Sequence, residues 1–378
     1  MPVVSKARKA AAQASYQQGK RKNFIYNGDM EICQRSTSVS SLGNGNTGYH
    51  VQDRYQFAES GAPNAEVTMS KSTTAPDGFA SSLKLDCTTA SGTVAAGDLI
   101  YLAQIFEGQD LQSINKGDAQ AKAVTVSFWV NTTKTGTYIL SMYDNDNNRS
   151  CSQSYTVSSG DTWEYKTVTF PPDTTGAYGN DNAASLYLLW GLVAGTDWTS
   201  GSLATAWESN NNPDRFTGQV DAFDSTSNNF HLTGIQMELG NTATEFQYES
   251  FKESLSRCQR YFMAYGPSGT AATDDFVVIG TGLAAGTTIS WIEINPPTPM
   301  RTRPSATFNN VYVFDANNRF MASITYFSGD EGAAYRSFST IWIRAVNAGG
   351  TTNNTTGRGA QLYTNAATDS YFWLSAEL

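Results

Sequence analysis

Charge is scarce in this chain: 16% of its 378 residues are Asp, Glu, Lys or Arg, and histidine occurs only twice. Long helices draw on Glu and Lys in quantity, so a long-helix architecture is excluded. Basic side chains are scarcer still beyond residue 22, where 19 face 34 acidic ones. Such an acidic body disfavours nucleic acid, whose phosphates demand clustered Lys and Arg. Cysteine is sparse too. Cys33, Cys87, Cys151 and Cys258 stand far apart in no CxxC or Cys/His spacing, which argues against structural zinc and leaves reduced thiols as the default for a protein assembled in a cytosol. The longest apolar run, 186–194, is broken by Gly191 and far too short for a membrane span. The first 22 residues lack the apolar centre of a signal peptide. No P-loop, dinucleotide or zinc-protease signature occurs, and the two histidines, His50 and His231, each fall within an expected strand. No cofactor and no enzymatic activity are therefore expected, and carboxylates are too numerous for composition alone to single out a glycosidase pair.

What is present is aromatic and turn-forming: 19 Tyr, 19 Phe, 8 Trp and 32 Gly. Short stretches of alternating hydrophobicity are separated by Gly, Asn, Ser and Thr, the pattern of a sandwich. Strands are expected at 24–32, 50–57, 67–70, 82–87, 99–106, 123–131, 136–143, 162–170, 185–192 and 230–239. Val124, Val126, Phe128 and Val130 share one face, which should be core. A first strand, a long excursion and a returning last strand describe a jelly roll whose ends pair. A second set of strands is expected at 273–280, 287–295, 305–314, 319–325, 335–345, 361–364 and 371–376.

Between the two sets the apolar period changes from two to about 3.6. Phe230, Leu232, Ile235, Met237 and Leu239 alternate, with a slip at Thr233-Gly234 that predicts a bulge. Ser250 and Glu253 then have capping-box spacing, and Phe251, Leu255, Cys258 and Phe262 fall on one side of a helix. That stripe either packs on the β body or meets symmetry mates around an axis. The fold class is all-β: an N-terminal jelly-roll β-sandwich (23–248), a short connecting α-helix (249–263) and a smaller C-terminal β-sandwich (264–378). A helical or extended arm (1–22) precedes them. The arm carries Lys6, Arg8, Lys9, Lys20, Arg21 and Lys22 and no acid, which suits docking to an acidic protein surface.

Three stretches carry a resemblance. Gln236-x-Glu238-x-Gly240, followed by Thr244-Glu245-Phe246 and a helix ending Cys258-Gln259-Arg260-Tyr261, resembles a segment of many tailed-bacteriophage tail-fibre and tail-tip proteins. The run 23–37, with Asn27-Gly28-Asp29-Met30-Glu31, resembles their opening strand and, more distantly, that of carbohydrate-binding jelly rolls. The run 296–308, with Pro299-Met300-Arg301, resembles a strand pair in the C-terminal domains of such fibres. The resemblance implies a virion structural protein, made in the host cytoplasm and carried on an external appendage. It implies a homotrimer that meets other tail or capsid proteins through the arm and contacts host cell-surface polysaccharide. Phe251, Leu255, Cys258 and Phe262 are then the expected trimer contacts. Alternatives are a capsid-decorating fibre or neck adaptor without receptor binding, and a polysaccharide-degrading tailspike.

Candidate glycan contacts are Trp198 and Trp207, in the long polar loop 196–227, with Tyr178 and Tyr187 nearby. Tyr335, Trp342 and Tyr363, beside the tip 347–358, form a rival surface. Exposed aromatics with neighbouring Asp and Asn hold sugar rings, while the same rings also bury themselves under loops. Asp144, Asp146, Asn147 and Asn148 offer hard oxygens but read as a turn. The resemblance to carbohydrate-binding jelly rolls implies a structural calcium at Asp29 and Glu31, although Leu232-Thr233-Gly234 stands where the closing strand's acidic ligand is expected.

Overall fold

The computed structural model describes residues 23–266, 277–315, 318–326, 340–347, 356–364 and 370–378. Expected features of the arm, of Tyr335 and of most of the tip 347–358 lie outside these residues. Thirteen strands build the first unit: β1 (Ser38–Leu42), β2 (Gly48–Tyr49), β3 (Gln56–Ser60), β4 (Glu66–Ser72), β5 (Ser82–Thr89), β6 (Leu99–Glu107) and β7 (Val124–Thr132), then β8 (Gly136–Asp144), β9 (Arg149–Val157), β10 (Glu164–Phe170), β11 (Ala184–Ala194), β12 (Glu208–Ser209) and β13 (Asn229–Leu239). They form a six-stranded sheet, β1-β4-β5-β13-β7-β10, facing a seven-stranded one, β12-β9-β8-β11-β6-β3-β2. Every pairing in both is antiparallel, and the jelly-roll sandwich closes over one large apolar core.

Alternation puts Val124, Val126, Phe128 and Val130 into that core, as expected. In β13 the pairing with β7 slips between Thr233 and Gln236, and Gly234 takes φ +61°. The extra residue keeps Phe230 and Leu232 before it, and Ile235 and Met237 after it, on the buried side. The opening segment differs from expectation. Residues 24–32 are irregular, with Asn27 and Met30 at positive φ, although they lie against β13 through Phe24 N–H to Met237 O (2.9 Å) and Ile235 N–H to Gly28 O (2.9 Å). A Cβ on Gly28 would sit 2.3 Å from Ile235 O, so only glycine permits this approach. Four strands of this unit escaped the sequence reading: β1, the two-residue β2 and β12, and β9, whose outward Ser150, Ser152 and Ser154 dilute its apolar pattern.

A four-residue α1 (Gly108–Leu111) follows β6, and a four-residue α2 (Thr196–Thr199) follows β11. The longest helix among the described residues is α3 (Phe251–Gln259), with the Ser250–Glu253 capping box formed in both directions. Its buried residues are Ser254 and Cys258, continued by Tyr261, because the chain enters from β13 with that side against the sandwich. The expected stripe is therefore corrected. Phe251 is 63% exposed, Leu255 is half-buried, Cys258 is sealed in the chain's own interior, and Phe262 belongs to the next strand, where Arg35 lies over its ring at 3.5 Å.

The second unit contains β14 (Phe262–Tyr265), β15 (Val277–Ala284), β16 (Ile289–Ile294), β17 (Ser305–Asn309), β18 (Val311–Asp315), β19 (Asn318–Tyr326), β20 (Ile341–Asn347), β21 (Gly359–Thr364) and β22 (Tyr371–Ser375). Six of them close into a barrel, β15-β16-β20-β19-β18-β21, and β14-β22-β17 form a small sheet sharing the barrel's core. This sheet is the joint to the sandwich, and the three resembling stretches meet there. Arg260 grips buried Glu107 through Nε (2.8 Å) and Nη2 (2.7 Å). Arg301 donates to the carbonyls of Ala376 (2.7 Å), Asn182 (2.7 Å) and Glu377 (2.9 Å). Gln236 and Glu238 bind the returning chain at Thr244 and Gln247. The motif residues are architectural.

Candidate functional site

The outer face of the seven-stranded sheet is where the long loop does its work. The inward parity of β6, β8 and β11 supplies Ile100, Leu102, Leu140, Met142, Leu188 and Trp190 to the core, so the opposite parity faces outward. That parity includes Tyr101, Tyr143 and Tyr187. Tyr187 pairs directly with Tyr143 across β11 and β8, and their rings stand 5.9 Å apart. The loop after β11 folds back over this face and lays Phe216 on Leu99, Ala103, Ile139 and Leu189. Gly191 makes the room, since a Cβ there would lie 2.7 Å from the Phe216 ring. Trp198 packs at the edge of the same cluster, held by its Nε1–H to Gly97 O (3.2 Å) and by Phe216 N–H to Trp198 O (3.0 Å). Trp198, Tyr101, Tyr143 and Tyr187 all remain half-exposed.

Arg215 sits among these rings, with its guanidinium carbon 5.1 Å from the Tyr143 ring, 5.5 Å from Phe216 and 5.8 Å from Trp198. The residue is 8% exposed. Among the described residues it has no ion pair and no side-chain hydrogen bond, and its Nε is sealed from solvent without an acceptor. Burial pulls its ionisation down to about 10, partly offset by the phenols of Tyr101 and Tyr143. A guanidinium normally retains its charge when buried by finding a carboxylate. Here the rings of Tyr143, Phe216 and Trp198 stand beside it instead.

The four aromatics singled out beside the long loop thus sort into two pairs. Trp198 and Tyr187 join the Arg215 cluster, whereas Trp207 and Tyr178 flank Lys116, whose Nζ lies 5.1 Å and 5.3 Å from their rings. That second group is closed. Lys116 pairs with Asp144 and Asp173 and donates to the carbonyls of Thr175 (2.9 Å) and Gly176 (2.8 Å), while Arg149 takes Asp173 through Nε (2.8 Å) and Nη2 (3.1 Å). Trp207 Nε1–H is spent on Pro171 O (2.9 Å). A polar recess of about 340 Å³ opens beside Lys116, lined by Asn115, Asp118 and Gln120. Asp144 Oδ1 accepts from Asn147 N–H (3.1 Å), so the Asp/Asn run is a turn, as read.

Elsewhere, Glu31 is paired with Lys71 (3.0 Å), which also donates to Glu31 O (2.8 Å), and burial raises the ionisation of neighbouring Asp29. Among the described residues no three His, Cys, Asp or Glu side chains cluster to hold a metal ion. Tyr363 is 7% exposed and stacks on Tyr312, so it presents no ring to a ligand. Trp342 lies in β20 opposite Glu293, in the barrel rather than beside the loop aromatics. His231 is buried, its Nδ1 3.2 Å from Ser82 Oγ, and burial with nearby Lys84 lowers its ionisation to about 4. His50 lies just past β2, its Nε2 2.9 Å from Asn46 O. Burial pushes the thiols of Cys33 and Cys151 up to about 12, far from nucleophilic readiness. Burial raises the ionisation of Glu208, and the charge of nearby Asp214 adds to it.

A further aromatic track crosses the other sheet, with Trp129 and Tyr165 rings 5.3 Å apart and Phe79, Phe246 and Tyr248 packed together. Tyr165 and Tyr248 are 45% and 59% exposed. Sequence reasoning singled out neither Arg215, within the long loop 196–227, nor Tyr101 and Tyr143. Their outward parity opposite core residues was the available signal.

No protein-family model matches this chain, and no curated protein matches it either. Solved structures similar to it include the enzymatically active domain of a bacteriophage CBA120 tailspike protein, at 13% identity and TM-score 0.29, covering 57% of this chain and 21% of that one. The C-terminal family 22 carbohydrate-binding module of Clostridium thermocellum Xyn10B is similar at 10% identity and TM-score 0.28, over 59% of this chain and 98% of the module. A family 11 module from the same organism, solved with a mixed-linked tetrasaccharide, follows at 11% identity and TM-score 0.26, over 56% and 98%. This chain thus spans about a fifth of the tailspike domain's length.

Proposed function

We propose that this protein is a glycan-contacting attachment protein on the virion of a tailed phage. The observation that carries the reading is the half-exposed ring cluster of Trp198, Tyr101, Tyr143 and Tyr187, fixed on a rigid sheet by the loop that crosses it. Rings held on a scaffold stack against the CH faces of sugars with little ordering cost on binding. The three resembling stretches support the phage context. In this reading the basic arm docks on an acidic surface of the tail or capsid, and a homotrimer repeats weak sugar contacts into firm attachment. Phe251 is the exposed apolar side chain of α3 available to that trimer, whose mass in solution measures it.

The test is titration of the full chain with host-surface polysaccharide. Trp198→Ala with Tyr187→Ala is expected to weaken binding at least about tenfold, as loss of stacked rings does. Trp129→Ala with Tyr165→Ala on the opposite sheet is expected to leave it unchanged. Loss confined to the second variant would move the site to the other face, and absence of binding to any polysaccharide would remove the reading.

A further inference from the structure

We propose that Arg215 makes the ring cluster selective for glycans bearing a carboxylate, the acid group of a uronic or similar sugar acid docking on its guanidinium. This rests on the glycan-contact reading of the same face and adds the charge of the ligand to it.

The argument starts from electrostatic accounting inside this chain. Arg54 is also buried, and it pairs with Glu377; half-buried Arg260 and Arg149 pair with Glu107 and Asp173, and Arg257 with Glu249. Arg215 is enclosed to a similar degree as Arg54, yet no carboxylate among the described residues reaches it. Rings at 5.1–5.8 Å offer cation–π attraction but accept none of its N–H donors in the way an anion would. Nε is the sealed atom, so the Nη end is the part that meets solvent. An anion arriving there finds a preformed planar fork, already stripped of most of its water and flanked by half-exposed rings. A carboxylate matches that fork with two parallel hydrogen bonds, while the ring bearing it stacks on Tyr143 or Trp198.

The rest of the body sets a limit on the ligand. Beyond residue 22, acidic side chains outnumber basic ones by 34 to 19, so a dense polyanion is repelled at longer range. The fit is to a repeat in which one acidic sugar is spaced by neutral ones.

The experiment uses the full chain and a panel of hexasaccharides with one uronic acid per disaccharide or longer repeat, each paired with its carboxyl-reduced counterpart. Binding is read by calorimetry. For at least one pair the native form is expected to bind about tenfold or more tightly than the reduced form, the size of a charge-assisted contact. Arg215→Met is expected to abolish that difference while keeping the weaker binding of the reduced form, and Arg215→Lys to keep only part of it. The lysine variant also serves if the methionine variant fails to fold. Equal binding of native and reduced forms, or an unchanged preference in the Arg215 variants, overturns the proposal and leaves glycan contact standing. Equal gain from a sulfated neutral hexasaccharide overturns the carboxylate assignment. Binding of no saccharide in either form overturns the glycan reading and this proposal with it.

Discussion

Arg54 and Arg215 are both buried guanidinium groups in one sandwich, and their surroundings are opposite. Arg54 sits in the left-handed region at φ +73°, stacks 3.5 Å over Tyr261, donates to Ile105 O (2.6 Å) and pairs with Glu377 from beyond β22. Glu377 also takes Arg35 (3.0 Å), which leans on Asp53. Glu377, just past β22 of the small sheet, ties Arg35 and Arg54 of the sandwich to that sheet. Around Arg215 the rings are half-open, and nothing of opposite charge arrives from any described element. The difference separates a charge used to close the fold from one left for something outside it. His231 gives a third solution, a buried group of the same sign that stays neutral.

The comparison breaks most visibly at Glu377. Glu377→Gln leaves buried Arg54 without its counter-charge and half-buried Arg35 with Asp53 alone, and is expected to destabilise by about 3–5 kcal/mol, read by denaturant unfolding. A loss below about 1 kcal/mol would mean that the joint is held by its apolar core alone.

A smaller effect is expected from acid. The His231 ionisation lies near 4 in the fold, below its ordinary value of about 6.5, so protonation favours the unfolded chain. Its contribution is fully present above pH 6.5, falls as pH drops toward 4, and levels off below. The total is at most about 3 kcal/mol, from the size of the shift. Asp86 and Asp161 nearby act against it, and Lys84 with it. In melting curves across pH 7 to 4, His231→Gln should show a shallower decline than the native chain. Parallel declines would place the acid sensitivity elsewhere.

The smallest expected change is the most telling. Arg215→Met removes a buried charge that has no partner to orphan, so unfolding stability should hold or rise by up to about 1–2 kcal/mol. A drop approaching that of Glu377→Gln would mean that Arg215 is part of the scaffold, and the contrast would vanish.

Much of the scaffold was legible because burial imposes a period. The Val124–Val130 face, the β13 bulge at Gly234 and the Ser250–Glu253 cap each depend on neighbours within a few residues, and local sequence carries such signals. The side of α3 that faces inward was not legible. Phe251 and Leu255 are its more apolar residues, yet Ser254 and Cys258 are buried, because the entry of the chain from β13 fixes the helix's rotation. Nor was the fate of the aromatics, where Trp198 and Trp207, nine residues apart, end beside different cations. The opening segment was misread for a related reason: its apolar residues are buried as a strand's would be, but its backbone is bent at Asn27 and Met30.

The sequence by itself determined an all-β chain, two units on either side of one capped helix, and a body short of positive charge, since composition and periodicity act locally. Tertiary structure alone decided which of two similar arginines meets a carboxylate. Arg54 reaches Glu377 across 323 residues of chain, and no spacing rule spans that separation. Closure of the fold brings one pair together and leaves the other guanidinium among rings.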